Sequence, residues 1–189
     1  MNEVWIVRHG ATEWTVSRKH TGVTDIPLTE AGEEDARALA PLLAEHAFAH
    51  VLTSPMQRAR RTAELAGFPD AEVDDQLVEL DYGDYEGRTS EEIREERPDW
   101  FLWRDGTPGG EPIDAAGRRA DGVIERIGDL DGDVLVFGHG HFSRVLAARL
   151  LELPASAGSR LMLGPASISV IGREHGRRAI RAWNWSTKI

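Results

Sequence analysis

Short apolar runs that stop at polar segments alternate along the chain with stretches of helical periodicity. Val4–Val7, His50–Ser54 and Val134–Phe137 are such runs, and their length and β-branched content predict buried, mostly parallel strands. Apolar residues recur at helical spacing over 30–46 and 113–130, which predicts two amphipathic helices. Strands that alternate with helices indicate a layered α/β fold.

Capping and breaking residues set the ends of several elements. Thr29 is a natural N-cap, so the first long helix is predicted to run from there to about His46. Pro55 closes the second strand, and the helix that follows is predicted to end at Ala66, before Gly67.

The remaining segments complete a single predicted domain over residues 1–189. A further helix is predicted over Phe142–Leu151, and Ile168–Ile171 with Ala179–Trp183 predicts a C-terminal β-hairpin. The segment 88–112 contains a short acidic helix and then aromatic, glycine and proline residues. This composition predicts a lid-like excursion rather than core scaffold.

Charge and composition narrow the function. The net charge is −10, from 22 Lys and Arg against 32 Asp and Glu. The overall electrostatic field of the protein is therefore not expected to attract nucleic acid. Any phosphate site must instead be a local concentration of positive charge. The absence of cysteine excludes disulfides and thiolate catalysis. No apolar run reaches the roughly 20 residues of a membrane span, and we expect a cytoplasmic protein with no membrane partner.

Two of the strongest strands end in a His-Gly pair. Arg8-His9-Gly10 follows the first strand, and Gly138-His139-Gly140 follows the strand at Val134–Phe137. Ligand sites form beyond the carboxyl ends of parallel strands, so neighbouring strands would bring both imidazoles to one pocket. Arg58 follows a third strand by about one helical turn. Two imidazoles and two guanidiniums at one edge are typical of a phosphoryl-transfer site.

Such a site needs a nucleophile and an acid. Nearby arginines favour the neutral imidazole of His9, because like charge disfavours imidazolium. A leaving alkoxide needs a proton, and Glu79 is the carboxylic acid that we select for it among several acidic neighbours.

Five segments resemble, in order, the signature of the histidine phosphatases, the phosphoglycerate mutase-like superfamily. They are Arg8–Trp14, Thr21–Thr29, Thr53–Ala59, Glu79–Gly87 and Gly138–Gly140. The resemblance spans nearly the whole chain. It implies a three-layer α/β/α sandwich with the site over the sheet, and neither a metal nor another cofactor.

The resemblance also implies roles for individual residues. Arg8, Arg58 and His139 would hold the phosphoryl group, His9 would be the nucleophile, and Glu79 would act as acid and then base. Further substrate contacts are expected from Thr15, His20, Thr21, Gly22, Tyr82, Gly140 and His141. Thr15 stands where many members carry an asparagine, so a shorter hydroxyl replaces that donor.

The motifs are most similar to those of sedoheptulose-1,7-bisphosphatase and small bacterial acid phosphatases. Phosphoglycerate mutases are generally longer and carry a C-terminal tail that shields the phosphohistidine. We therefore expect a metal-independent phosphatase that acts on a small phosphorylated metabolite such as a sugar phosphate. The alternatives are a phosphoglycerate mutase and a non-catalytic protein that binds phosphorylated ligands.

Two further readings stay open. His139 and His141 form a His-x-His pair that could ligate a metal, although no third ligand stands at a recognisable spacing. His141 could instead contact substrate or cap the next helix. Trp183 and Trp185 would permit a homodimer interface.

Overall fold

A six-stranded sheet forms the centre of the protein in a computed structural model that describes residues 3–186. The strands are β1 (Val4–Arg8), β2 (His50–Thr53), β3 (Glu72–Val73), β4 (Val134–Gly138), β5 (Ile168–Glu174) and β6 (Arg177–Trp185). Their order in the sheet is β3-β2-β4-β1-β5-β6. The first four run parallel, and β5 and β6 form an antiparallel hairpin. The mostly parallel sheet and the hairpin are therefore confirmed.

Seven α-helices connect or flank these strands within the described residues. They are α1 (Glu13–Val16), α2 (Glu30–Ala44), α3 (Gln57–Leu65), α4 (Ser90–Glu96), α5 (Leu102–Asp105), α6 (Ile113–Gly128) and α7 (His141–Leu150). The predicted cap of α2 is present, because the Thr29 side chain accepts a hydrogen bond from the Gly32 amide. None of these helices is long and apolar enough to cross a membrane.

Side chains of β1 and β4 alternate between two apolar layers. Val7 and Phe137 pack on one face with Leu39 of α2 and Ala63 of α3. On the other face, the core includes Val4, Ile6, Val134 and Val136 of the sheet, Val123 and Ile127 of α6, and Leu146 of α7. The period-two alternation of the strands thus supplies both faces. The predicted three-layer α/β/α sandwich is confirmed.

The segment 88–112, expected to be a lid-like excursion, packs into this second layer. Trp100 and Trp103 are buried in the same apolar cluster as α6 and α7, whereas the aromatic ring of Phe101 is 44% exposed. The Trp100 indole also donates to the Gly106 carbonyl at 2.8 Å. Indole rings bury large apolar areas, so this segment is core as well as a wall of the cavity described below.

The two tryptophans near the end of β6 differ in environment. Trp185 is 48% exposed, whereas the Trp183 indole donates to the Met162 carbonyl at 2.6 Å. A homodimer through this edge strand stays a prediction.

Candidate active site

A cavity of about 470 Å³ lies at the carboxyl ends of β1 and β4. Five basic residues and one acidic residue line it, together with histidines and aromatic rings. The basic residues are Arg8, Arg18, Lys19, Arg94 and Arg144, and the acidic one is Glu79. A chain of net charge −10 therefore concentrates positive charge here, as the sequence analysis requires of a phosphate site.

His9 is a buried residue at the floor of this cavity, just after β1. Its Nδ1 lies 2.7 Å from the Gly10 carbonyl oxygen. A carbonyl only accepts, so Nδ1 carries the proton and Nε2 keeps its lone pair. Burial and the charges of Arg8 and Arg58 hold the pKa of His9 well below its usual value. The ring is therefore neutral and nucleophilic at neutral pH.

A hydroxyl from α3 fixes the backbone that orients His9. The Gly10 amide donates to Thr62 Oγ1 at 3.0 Å, and that hydroxyl donates to the Arg58 carbonyl at 2.7 Å. Gly10 also packs directly on α2, where an added Cβ would lie 2.3 Å from the Gly32 carbonyl oxygen. Thr62, which is not among the residues predicted from the sequence, thus holds the backbone next to His9.

Arg8 ends β1 and presents an unused donor beside His9. Its Nη1 donates to the Leu163 carbonyl at 2.5 Å. Its Nε is buried and finds no acceptor within residues 3–186. Gly140 makes room for this guanidinium, since an added Cβ would lie 3.3 Å from Arg8 Cζ. Burial lowers the pKa of Arg8 and Glu79 partly restores it; the group stays charged.

His139 lies beside His9 because β1 and β4 are neighbours, with Arg8 opposite Gly138. The two imidazole centroids are 5.3 Å apart, which confirms that the two strand-end histidines face each other. Arg58 Nε donates to His139 Nδ1 at 3.3 Å, so the proton of this ring is on Nε2, which donates to Ser54 Oγ at 2.7 Å. Both ring nitrogens of His139 therefore make hydrogen bonds with other side chains of the protein.

Arg58 is 0% exposed and lies behind the two histidines. Its Nη2 donates to the Gly22 carbonyl at 2.8 Å and its Nη1 to the Thr24 carbonyl at 3.0 Å. The carboxylate of Glu86 holds this loop in turn, accepting from the amides of both loop residues. Burial lowers the pKa of Arg58, against the opposing effect of acidic neighbours.

Three of the residues expected to contact the phosphoryl group or the substrate lie next to the cavity, and their direct contact with either stays a prediction. Arg58, His139 and Gly22 do not line the cavity in this structure. Their polar groups bind protein partners instead. They form a layer that supports His9, while Arg8 faces the cavity.

Glu79 is held at the amino end of α7. The amides of Leu80 and Phe142 donate to its Oε1 at 2.9 and 2.7 Å, and the amide of His141 donates to its Oε2 at 2.9 Å. The amides of His141 and Phe142 belong to the first turn of α7 and have no acceptor within the helix, so they are free to bind and orient this carboxyl group. Glu79 also lines the cavity, so its carboxyl group is fixed at the edge of this space.

A wall of neutral rings faces the cavity beside Glu79. The Tyr82 hydroxyl lies 2.6 Å from His141 Nδ1, and His20 lies against Tyr82 with ring centroids 4.8 Å apart. Burial and the charge of Arg94 lower the pKa of His20 to about 4. Burial, and after it the positive charge of Arg144, holds the pKa of His141 well below its usual value. These rings offer hydrogen bonds without charge.

The two threonines expected to contact substrate also lie at the cavity, and their contact with substrate stays a prediction. Thr15 and Thr21 line the cavity. The Thr15 hydroxyl lies 3.0 Å from that of Thr12, which caps α1. The Thr21 hydroxyl donates to the Lys19 carbonyl at 3.2 Å.

The proposed metal pair of His139 and His141 does not form a ligand group. The nitrogens of His139 bind Arg58 and Ser54, and Nδ1 of His141 binds Tyr82. Within residues 3–186, the one cluster with the geometry of a metal site is Glu3, His46 and Asp133. It lies at the opposite ends of β1 and β4, away from the cavity.

Several cavity residues are not among those predicted from the sequence. Arg94 and Arg144 line the cavity. Arg94 stands in a run of charged residues without a motif, whereas Arg144 ends the segment that begins with Gly138-His139-Gly140. One signal for Arg144 exists, because it follows His141 by three positions and so shares its face of α7.

Comparison with known proteins gives the family. Residues 4–186 match the model of the histidine phosphatase superfamily, branch 1. The chain is 41% identical to an acid phosphatase of Mycobacterium tuberculosis, over 93% of this chain and 88% of that protein. It is 38% identical to a sedoheptulose 1,7-bisphosphatase of Saccharomyces cerevisiae, over 76% of this chain and 65% of that protein.

Two more comparisons bear on fold and activity. The chain is 34% identical to a probable phosphoglycerate mutase of Photorhabdus laumondii, over 97% of this chain and 90% of that protein. The solved structure of an open reading frame product of Mycobacterium tuberculosis, 39% identical, matches with a TM-score of 0.94 over 98% of each chain. The family resemblance seen in the sequence is confirmed, and the chain belongs to the histidine phosphatase superfamily, branch 1.

Proposed function

We propose that this protein hydrolyses small phosphomonoesters through a phosphohistidine on His9, without a metal ion. One observation carries the proposal. The neutral ring of His9 donates from Nδ1 to the Gly10 carbonyl, which leaves the Nε2 lone pair for attack beside the buried donor of Arg8. The relatives named acid phosphatase and sedoheptulose 1,7-bisphosphatase support hydrolysis as the reaction.

In the first step, His9 Nε2 attacks phosphorus and the bond to the ester oxygen breaks. Glu79 gives its proton to the leaving alkoxide, so an alcohol departs. Arg8 stabilises the charge on the phosphoryl oxygens. The bond from Nδ1 to the Gly10 carbonyl stabilises the positive charge that the ring gains when its nitrogen is phosphorylated.

In the second step, Glu79 takes a proton from a water molecule, whose oxygen attacks phosphorus. The bond between nitrogen and phosphorus breaks and inorganic phosphate leaves. Glu79 is again protonated and His9 again neutral, so the cycle closes. The three backbone amides that bind Glu79 keep the carboxyl group in place while its proton comes and goes.

A mutase is the second candidate, because one relative is named a probable phosphoglycerate mutase. In that reaction the phosphoryl group would pass from His9 to a second hydroxyl instead of to water. Length does not separate the two, since the match covers 90% of that relative. The expected difference in chain length is thus not a criterion here.

The test is phosphate release from p-nitrophenyl phosphate, sugar phosphates and phosphoglycerates, with and without EDTA. We expect release that survives EDTA and that His9→Ala abolishes. His175→Ala is the matched control, because His175 is exposed in the turn between β5 and β6. An isomerised phosphoglycerate without released phosphate would establish a mutase. Tight phosphate binding without turnover would establish a binding protein.

A further inference from the structure

One peptide group in the loop before β5 holds the guanidinium of Arg8. It joins Leu163 to Gly164, and we call it the anchor peptide. Its carbonyl oxygen, on Leu163, accepts the hydrogen bond from Arg8 Nη1 at 2.5 Å. Among the described residues 3–186, the Arg8 side chain makes no other hydrogen bond and no ion pair. The direction of this guanidinium therefore depends on where the anchor peptide points.

The other end of the anchor peptide is bound by Asn184 of β6. The Gly164 amide donates to Asn184 Oδ1 at 2.6 Å. A trans peptide group is planar, so its N–H and its C=O point in opposite directions from one rigid plate. A hydrogen bond at the amide therefore also fixes the direction of the carbonyl that binds Arg8. Hydrogen bonds that are linked in this way polarise and strengthen one another.

An irregularity in the β5–β6 hairpin brings Asn184 to this loop. The register of the two strands shifts between Ile168 and Val170 of β5, and such bulges re-aim side chains. Asn184 has a φ of +55°, a left-handed conformation that asparagine adopts more readily than most residues. Its own amide donates to Ser169 Oγ at 3.0 Å. The backbone of Asn184 is thus fixed in the conformation from which its carboxamide reaches the anchor peptide.

Neighbouring contacts hold the same loop between β6 and the end of β1. The Trp183 indole donates to the Met162 carbonyl at 2.6 Å, one residue before the anchor peptide. Further along the loop, the Ala166 amide donates to the His9 carbonyl at 3.1 Å. The C-terminal strand is therefore connected through this loop to both residues that stand at the floor of the cavity.

We propose that Asn184 is a positioning residue for Arg8 and acts through the anchor peptide. The inference rests on the proposed function, in which Arg8 stabilises the charge on the phosphoryl oxygens. Asn184 is exposed and does not line the cavity, so it does not touch the substrate itself. A misplaced guanidinium loses much of its effect on the reaction, because stabilisation of the phosphoryl group depends on geometry. Removal of the Asn184 carboxamide should therefore impair turnover only while the guanidinium is present.

The test compares Asn184→Gly with Asn184→Asp. Glycine keeps the left-handed conformation and removes the acceptor, whereas aspartate tolerates this conformation and keeps an oxygen for the Gly164 amide. Asn184→Gly should lower kcat/KM for p-nitrophenyl phosphate by about 3- to 10-fold, the effect of one neutral hydrogen bond. Inhibition by inorganic phosphate should weaken by a similar factor. Asn184→Asp should recover most of both. Native values in Asn184→Gly, or equal losses in the two variants, would overturn the inference.

A double-mutant cycle separates positioning from a general structural role. Arg8→Met removes the guanidinium, so Asn184→Gly in this background should change the residual kcat/KM by less than about twofold. An equal loss in both backgrounds would overturn the inference. His175→Gly is the matched control, because His175 also has a left-handed backbone, with φ +48°, and is exposed in the turn of the same hairpin. It should keep native activity, and a loss as large as that of Asn184→Gly would contradict the proposal.

The proposed function can fail separately from this inference. If no ester is hydrolysed, ¹⁵N NMR follows the Nε–H group of Arg8, whose signal is assigned by its absence in Arg8→Met. A shifted or broadened signal in Asn184→Gly, with a native signal in Asn184→Asp, would still support the positioning of Arg8 by Asn184. A signal that is unchanged in both variants would overturn it.

Discussion

Thr62 has a buried hydroxyl that holds the backbone next to His9, the proposed nucleophile, and it does not line the cavity. Thr62→Val therefore isolates the effect of this hydroxyl. The hydroxyl accepts from the Gly10 amide at 3.0 Å and donates to the Arg58 carbonyl at 2.7 Å. Valine has nearly the same shape but makes neither hydrogen bond. The substitution therefore removes the support of the Gly10 backbone and leaves the packing of α3 almost unchanged.

The main cost is the Gly10 amide, which is left buried without an acceptor. An unsatisfied buried donor costs about 1–3 kcal/mol. For a chain of this size that lowers Tm by about 2–12 °C. The Gly10 carbonyl also orients His9 through Nδ1. Loosening the nucleophile should reduce kcat by about 10- to 100-fold, because attack requires a well-aligned ring.

The assay measures urea unfolding and kcat with p-nitrophenyl phosphate for Thr62→Val and Thr62→Ser. Serine keeps the hydroxyl and loses only a methyl group, so it should recover most of the activity. If valine left both stability and kcat at the native level, the hydroxyl would not position His9. If serine were as impaired in kcat as valine, packing rather than hydrogen bonding would be responsible.

Two further predictions concern protons. Glu79→Gln should slow the hydrolysis of glycerol 3-phosphate far more than that of p-nitrophenyl phosphate, whose leaving group needs little protonation. If both reactions were slowed equally, Glu79 would not be the general acid. His20 has its pKa lowered from 6.5 to about 4 by burial and Arg94, so its contribution to stability is full above pH 6.5 and lost as pH falls towards 4. The free energy of unfolding, measured with urea, should therefore fall between pH 7 and pH 5 by about 2 kcal/mol less in His20→Gln than in the native protein. An equal fall in both proteins would refute the lowered pKa of His20.

The strands and the pairing of their ends could be predicted from the sequence. Val4–Val7 and Val134–Phe137 are apolar at every position, which identifies strands covered on both faces. Because parallel neighbours end at one edge, His9 and His139 had to meet if these strands were adjacent. Local pattern and topology therefore sufficed for this part of the site.

Whether a given side chain lines the cavity or lies behind His9 could not be predicted in the same way. A motif indicates that Arg58 and His139 belong to the site, but their places behind His9 depend on acceptors supplied by Ser54 and the loop at Gly22. Thr62 belongs to no motif, and its role appears only when α3 meets the loop that follows β1. Such contacts join distant parts of the chain, and periodicity defines faces but not distances.

The segment 88–112 shows the same limit. Its aromatic, glycine and proline residues look irregular in sequence. Trp100 and Trp103 nevertheless lie in one buried apolar cluster with residues of α6 and α7, because burial of their large rings is favourable. Burial of an irregular segment is decided by the surface it meets, which its own composition does not reveal.

The central claim is that His9 Nε2 becomes covalently phosphorylated during turnover. The most direct measurement is rapid chemical quenching with a ³²P-labelled phosphomonoester, followed by peptide mapping. The account predicts label that is stable in alkali and labile in acid, located on His9 and absent in His9→Ala. Label on another residue, or steady turnover with no labelled protein at any quench time in native protein and Glu79→Gln alike, would contradict it.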